Sequence, residues 1–304
     1  MTARRLVRYL AGSFPPLFYL PYALSWALGG SALFVLADPH LAGRWPGRAT
    51  AATAASFVVL VLLMRAVDDL RDLDYDRVHN PRRPLASGAV LPRDLAVLIA
   101  AGALAVLALN APRGAAVTAA ALAPLGYALL LLGLDLRRGW PPGDDLVFGA
   151  LLGLPVQLLL NGYLGAGVLH DAGSAPGRHD LLPVLAAVAV FAHLEYGRKL
   201  TRRPAPGERS YVTAYGVGGT AAAALAGAGL SVVLGLLLTR PWAGGAGAGP
   251  WGWLLLAPLV LVAHGAHRFF RRSAVRWPAG SAALFLICTF LAYLAVALLG
   301  KDAR

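Results

Sequence analysis

Nine apolar runs follow one another along the chain, separated by short segments rich in charge or in glycine and proline. A helix that crosses the hydrocarbon core of a bilayer needs ~20 mainly apolar residues. The runs cover residues 15–36, 50–67, 92–111, 115–135, 146–165, 181–200, 217–239, 252–270 and 279–299. They predict an all-α polytopic membrane protein, a bundle of nine transmembrane helices around a central cavity, as one domain over residues 1–304.

The composition excludes several classes of protein. Hydrophobic residues make up 58% of the chain and charged residues only 14%, whereas a soluble domain carries about 25% charged residues. A secreted enzyme, a nucleic-acid-binding module and a disordered scaffold are therefore excluded. The net charge of +12 calls for no nucleic-acid partner, because the basic residues gather in the loops of one membrane side.

The distribution of basic residues predicts the orientation in the membrane. With the N-terminus inside, Arg4, Arg5 and Arg8 and most of the 27 basic residues fall in cytoplasmic segments, as the positive-inside rule requires. No clear cleavage site follows these arginines, so we interpret the first run as a membrane helix rather than a removed signal. The expected location is the bacterial inner (cytoplasmic) membrane.

Acidic residues are concentrated at the cytoplasmic end of the second run. The chain has 15 acidic residues, and five of them lie within residues 68–76, namely Asp68, Asp69, Asp72, Asp74 and Asp76. On a helix, Asp68, Asp72 and Asp76 share one face, and Asp69 joins Asp72 and Asp76 at a spacing of three and four. Like charges on one face require a cation, and Mg²⁺ is held by carboxylates together with substrate phosphates. The alternative is a solvated acidic loop.

Basic residues follow the acidic segment directly. Arg77, Arg82 and Arg83 lie within seven positions of Asp76, and Pro81 and Pro84 stiffen the segment that carries them. Forked guanidinium donors beside metal-binding carboxylates suit a diphosphate. The alternative is that these arginines only anchor the inner membrane face.

A second charged segment lies at the end of the sixth run. Glu195 and Lys199 are four residues apart and share a helix face. Arg202 lies near them, and Glu208 follows in a loop. We interpret the segment as a second metal and diphosphate half-site that faces the first; the alternative is a simple Glu195–Lys199 ion pair.

The first motif resembles that of the UbiA-type intramembrane prenyltransferases. That motif is Asn/Asp-Asp-x-x-Asp-x-x-x-Asp, then Arg, then Pro-x-Arg-Pro-x-x-x-Gly. The matching residues are Asp68, Asp69, Asp72, Asp76, Arg77, Pro81, Arg83, Pro84 and Gly88, with Asp68 in place of the commoner Asn. The hydropathy pattern extends the resemblance over nearly the whole chain.

The second motif departs from the pattern of most of that family, which has two aspartates about four residues apart. Only Glu208 could stand in for one of them, while Glu195, Arg198 and Lys199 resemble a divergent branch with Glu and Arg-Lys at the helix end. On and after the fourth run, Tyr127 and the pair Arg137-Arg138 resemble the family's Tyr and Lys-Arg region near the diphosphate.

The resemblance implies a Mg²⁺-dependent enzyme that moves a prenyl group from an isoprenyl diphosphate to an aromatic or quinone-precursor acceptor, with two metal ions and an active site toward the cytoplasm. It implies catalytic roles for Asp68, Asp72, Asp76, Glu195 and Lys199. The implied metal ligands are Asp68, Asp69, Asp72, Asp76, Glu195 and Glu208. The implied diphosphate-binding residues are Arg77, Arg82, Arg83, Tyr127, Arg138, Arg198, Lys199 and Arg202.

Two other functions fit parts of the sequence. A terpene cyclase would use the same diphosphate site, with the cation attacked by the substrate's own double bonds. A transporter or channel would need ionisable residues near the middle of the membrane, whereas the acids here gather at the cytoplasmic ends of the runs.

Overall fold

The computed structural model describes residues 2–140, 146–243, 248–271 and 273–300. Within these ranges the chain forms eleven α-helices and no β-strand. The helices are α1 (Ala3–Ser13), α2 (Pro16–Ala37), α3 (Arg48–Arg71), α4 (Leu73–His79), α5 (Pro92–Asn110), α6 (Ala115–Arg138), α7 (Leu146–Ala172), α8 (Leu181–Arg198), α9 (Val212–Thr239), α10 (Leu259–Phe270) and α11 (Ala279–Leu299). Nine helical segments in the described ranges are long and apolar enough to cross a membrane, which confirms the prediction of an all-α, nine-span membrane protein.

Some helices are longer than their apolar runs. The second span continues past Asp68 and Asp69 to Arg71, the fifth reaches Ala172, and the seventh begins at Val212. Hydrophobicity marks the part of a helix that lies in lipid, and a helix continues beyond it wherever its backbone hydrogen bonds continue. The first two aspartates of the acidic segment therefore lie on the helix of the second span.

The N-terminal arginines lie on a helix of their own, which the sequence analysis did not separate from the first span. Thr2 caps α1, and its hydroxyl accepts from the Arg5 N–H. The helix ends at Ser13, and the backbone of the next residue, Phe14, is non-helical. Pro15 follows, and a residue before proline is disfavoured in helical geometry.

The chain divides into two compact units, of which the first comprises Met1–Leu24 and Ala51–Tyr163. In this unit α5 approaches α3 closely at Gly102, where an added Cβ would lie 2.6 Å from Leu63 Cδ2. Asn110 donates to Ser56 Oγ at 2.9 Å and accepts from the Tyr163 hydroxyl at 3.0 Å. These buried hydrogen bonds connect α3, α5 and α7.

The second unit comprises Ser25–Thr50 and Leu164–Arg304. Its helices α8 and α9 pack closely, because a Cβ at Gly227 would lie 2.8 Å from the His193 backbone nitrogen. Small residues at such contacts are typical of membrane helices. Tyr293 on α11 donates to the Ser231 carbonyl at 2.7 Å, which joins α11 to α9.

Candidate active site

The acidic segment keeps its helical spacing across the junction of α3 and α4. The Asp72 N–H donates to the Asp68 carbonyl at 2.8 Å, and the Asp76 N–H donates to the Asp72 carbonyl at 2.8 Å. Asp72 itself interrupts the helix, with φ −89° and ψ 10°. The three aspartates therefore follow one another at intervals of one turn, as the sequence predicts.

The exposure of these carboxylates differs sharply along the segment. The Asp68 side chain is 55% exposed and that of Asp72 28%, and their contacts with Arg71 are long, at 3.7 and 4.0 Å. Asp74 is 94% exposed and pairs with Arg77 at 2.8 Å. Asp68 and Asp72 are therefore accessible to a cation from solvent, while Arg77 contacts the acid outside the predicted ligand set.

Asp69 is buried and is held on both sides of its carboxylate. Arg65 Nη2 lies 2.7 Å from Asp69 Oδ1, and the Tyr9 hydroxyl donates to Oδ2 at 3.0 Å. Burial, and then the negative charge of Asp69, raise the pKa of Tyr9 well above its usual range. The Tyr9 hydroxyl is thus protonated and acts as a donor.

Arg83 lies in the loop between α4 and α5, residues 80–91. This loop folds back so that Arg83 contacts the buried end of the acidic segment. Its Nη1 atom lies 2.5 Å from Asp76 Oδ2 and 3.8 Å from Asp69 Oδ1. Asn80 Nδ2 donates to the other oxygen of Asp76 at 2.8 Å. Backbone hydrogen bonds from Arg83 to Asn80 and from Val90 to the Pro84 carbonyl fold the loop in this way.

An open cavity of about 450 Å³ lies beside this loop. It is lined by Gly12, His79, Asn80, Pro81, Arg82 and Arg83. Arg82 is exposed, so the cavity brings two predicted diphosphate-binding arginines to one surface next to Asp76.

The donor chemistry of this segment fits Mg²⁺, since all four predicted ligands supply hard carboxylate oxygens. In the described part of the chain, no three His, Cys, Asp or Glu side chains are already grouped as metal ligands. Asp69 and Asp76 are instead neutralised by arginine, and Asp68 and Asp72 are the accessible pair. A cation bound there would adjoin carboxylates already fixed in place.

In the second charged segment, Glu195 is the centre of a group of ion pairs and hydrogen bonds. Glu195 Oε1 lies 2.7 Å from Lys199 Nζ and accepts from the Tyr211 hydroxyl at 2.9 Å, while Arg198 binds Oε2. Lys199 also lies over the Tyr211 ring, 5.1 Å from its centre. Burial and the Glu195 charge raise the pKa of Tyr211 above its usual range, so that this hydroxyl remains a donor.

Glu208 and Arg202 have partners elsewhere in the second unit. Glu208 forms a two-point ion pair with Arg276, at 2.7 and 3.0 Å, and accepts from the Ala205 N–H at 2.9 Å. Arg202 donates to the Phe269 carbonyl and lies over the Phe269 ring. The loop is therefore bonded to the end of α10 and to the segment that follows it.

Tyr127 and Arg138 lie on α6 in the first unit. The Tyr127 hydroxyl donates to the Leu152 carbonyl of α7 at 3.0 Å. Arg138 is the exposed last residue of α6, and Gly139 after it has a left-handed φ of 60°. Tyr127 thus links two helices, and Arg138 is accessible at a helix end.

The sequence analysis missed several partners of the predicted site residues, among them Tyr9, Arg65, Asn80, Tyr211 and Arg276. The pairing of Arg65 with Asp69 follows the i, i+4 spacing that was applied to the aspartates. Tyr9 and Arg276 lie more than fifty residues from their partners, and no local pattern indicates such contacts.

The helices and spans define an integral membrane fold, and solved structures share it. A UbiA homologue from Aeropyrum pernix K1 is 21% identical, with 93% of this chain and 96% of that chain covered and a TM-score of 0.59. A digeranylgeranylglyceryl phosphate synthase is 15% identical over 97% and 99% of the two chains, with a TM-score of 0.56. A UbiA homologue from Archaeoglobus fulgidus, bound to GPP and Mg²⁺, is 15% identical over 98% and 99%, with a TM-score of 0.54.

No protein-family model matches the sequence, and no curated protein matches it. At these identities the likeness establishes the fold: the chain has the fold of the UbiA homologues.

Proposed function

We propose that the protein belongs to the UbiA-type superfamily and catalyses Mg²⁺-dependent transfer of a prenyl group from an isoprenyl diphosphate to a small aromatic or quinone-precursor acceptor. The observation that carries the proposal is the acidic segment, in which Asp68, Asp72 and Asp76 keep one-turn spacing and Arg83 folds back onto Asp76. Carboxylates and a guanidinium side by side bind the two parts of a metal-diphosphate complex.

Different residues have different roles in ionising the substrate. Asp68, Asp69, Asp72 and Asp76 would hold Mg²⁺, with Asp68 and Asp72 as the accessible pair. The metal would supply positive charge for the departing diphosphate. Arg82 and Arg83 donate to the phosphate oxygens from the cavity between the loop and α1. In this proposal the second metal and diphosphate half-site contains Glu195, Arg198 and Lys199.

The solved relatives support this choice of substrate. One UbiA homologue was determined with GPP and Mg²⁺ and another time with DMAPP and Mg²⁺. The alignments extend over at least 93% of each chain, which favours a single catalytic domain over residues 1–304. We place that domain in the bacterial inner membrane, with its N-terminus and active site toward the cytoplasm.

The test is Mg²⁺-dependent consumption of C10 to C20 prenyl diphosphates by the protein purified in nanodiscs. Released diphosphate is measured with and without candidate phenolic acceptors. We expect consumption that stops when EDTA removes the metal and returns when excess Mg²⁺ is added. Consumption that is unchanged by EDTA would refute the metal-dependent site.

A further inference from the structure

Helix α1 makes three contacts from one face. Arg5, Tyr9 and Gly12 are spaced four and three residues apart, so they lie above one another on a helix. They contact three separate segments of the first unit, which are the start of α5, the end of α3 and the loop that carries Arg83.

Each contact is specific in its geometry. Arg5 Nη1 lies 3.2 Å from Asp94 Oδ2 at the start of α5. Position 12 fits only a glycine, because an added Cβ would lie 2.5 Å from Pro84 Cγ. Between these contacts Tyr9 is fully buried, and its hydroxyl donates to Asp69.

We propose that Tyr9 is a positioning residue for the metal and diphosphate site, and that α1 holds the acidic segment and its loop in register through this face. The inference rests on the proposed function. Asp69 has one carboxylate oxygen beside Arg65 and the other beside Tyr9, so its side chain is fixed before any ligand binds. Groups that orient a metal-binding carboxylate in this way commonly change metal affinity by about 10- to 100-fold when removed.

The chain offers a matched control for removal of the Tyr9 hydroxyl. Tyr163 is also fully buried in the first unit, and its hydroxyl donates to Asn110 at the same distance, 3.0 Å. Tyr9→Phe and Tyr163→Phe therefore each delete one buried hydrogen bond. Tyr9→Phe should lose more thermal stability than Tyr163→Phe, since its hydroxyl donates to a buried carboxylate and that of Tyr163 to a neutral amide oxygen.

The experiment is isothermal titration of Mg²⁺ into full-length protein in nanodiscs with geranyl thiolodiphosphate, an analogue that resists ionisation. We expect Tyr9→Phe to weaken Mg²⁺ binding at least about tenfold, and Tyr163→Phe to bind as the wild type does. Thermal unfolding of both variants without metal is the stability control.

Two outcomes would overturn the inference, and they are distinguishable. If the wild type and Tyr163→Phe bind Mg²⁺ and Tyr9→Phe binds within twofold of them, the positioning role is wrong and the proposed function stands. If the wild type shows no Mg²⁺-dependent binding of the analogue, the proposed function is wrong, and the role of Tyr9 is wrong with it.

Discussion

Arg83 lies against Asp76, with Nη1 2.5 Å from the carboxylate, and the same Nη1 atom is 3.8 Å from Asp69. The two aspartate side chains are only 4% and 2% exposed. Without Arg83, the Asp76 carboxylate would lose the cation beside it while having little access to water, whereas Asp69 would keep Arg65. Arg83 therefore stabilises the acidic segment, in addition to the diphosphate-binding role that we propose for it.

Arg83→Gln should lower the stability of the metal-free protein by about 2–3 kcal/mol, because it leaves the buried Asp76 carboxylate without its guanidinium partner. Unfolding in detergent without Mg²⁺ measures this loss. Added Mg²⁺ should restore part of it by supplying the missing positive charge. The control is Arg82→Gln at the exposed neighbouring position, and equal stability of the two variants would contradict the role assigned to Arg83.

Asp72→Asn should reduce prenyl diphosphate turnover by at least about 100-fold, which corresponds to roughly 2.7 kcal/mol of transition-state stabilisation. Asp72 is an accessible carboxylate at the centre of the acidic segment. Asp74→Asn changes a carboxylate two residues away that is 94% exposed and paired with Arg77, and this variant should retain activity within a few-fold. Similar activities of the two variants at saturating Mg²⁺ would refute the acidic segment as the metal site.

The sequence predicts the spacing of the acidic residues well, because a helix repeats every 3.6 residues and its geometry is local. The nine spans follow from the same kind of reasoning, since burial in lipid demands long apolar runs. Helix α3 ends at Arg71, beyond the apolar run, so the position of the helix end is predicted less accurately than the span itself. Hydropathy marks the lipid boundary rather than the end of the hydrogen-bonded helix.

The partners of the acids that are distant in sequence could not be predicted in the same way. Tyr9 and Asp69 are 60 residues apart in sequence, and Arg276 and Glu208 are 68 apart. Such contacts depend on how helices and loops pack, and sequence spacing carries no signal of them. Glu208, which the sequence offers as an exposed loop ligand, is consequently bonded to Arg276 and to the Ala205 N–H.

Glu195→Gln and Glu208→Gln should change different kinetic constants. Glu195 is fixed at the end of α8 by Lys199 and Tyr211, so its loss should mainly lower kcat, by about tenfold or more. Glu208 lies in the loop after Gly207 and must leave Arg276 before it contacts a substrate, so Glu208→Gln should mainly raise KM. Initial rates over a range of prenyl diphosphate concentrations separate the two effects.

Arg276→Gln is the control for the Glu208 result, because it breaks the ion pair and leaves the carboxylate in place. If Glu208 binds the metal-diphosphate complex, Arg276→Gln should leave KM unchanged or lower it. Small and identical effects of Glu195→Gln and Glu208→Gln would mean that other residues form the second half-site.

The loop after α4 should face the cytoplasm, because arginines are concentrated there. Ser87→Cys in this loop and Ala115→Cys at the start of α6 lie at opposite ends of one span and are both exposed. In a Cys288→Ala background, a membrane-impermeant thiol reagent should label Ala115→Cys in intact cells and Ser87→Cys only after lysis. The reverse pattern would invert the proposed orientation.

The product distinguishes prenyl transfer from cyclisation. In the proposed function, the acidic segment and Arg83 ionise an allylic diphosphate, whereas the fate of the cation depends on what lies beside its first carbon. A transferase needs an acceptor there, so the purified protein with Mg²⁺ and a C10 to C20 prenyl diphosphate should consume little substrate alone. A phenolic or quinone-precursor acceptor should then give a coupled product, identified by mass spectrometry of the organic extract and lost in Asp72→Asn. A cyclic hydrocarbon or terpene alcohol that forms without acceptor, and that Asp72→Asn abolishes, would replace the transferase with a terpene cyclase acting at the same diphosphate site.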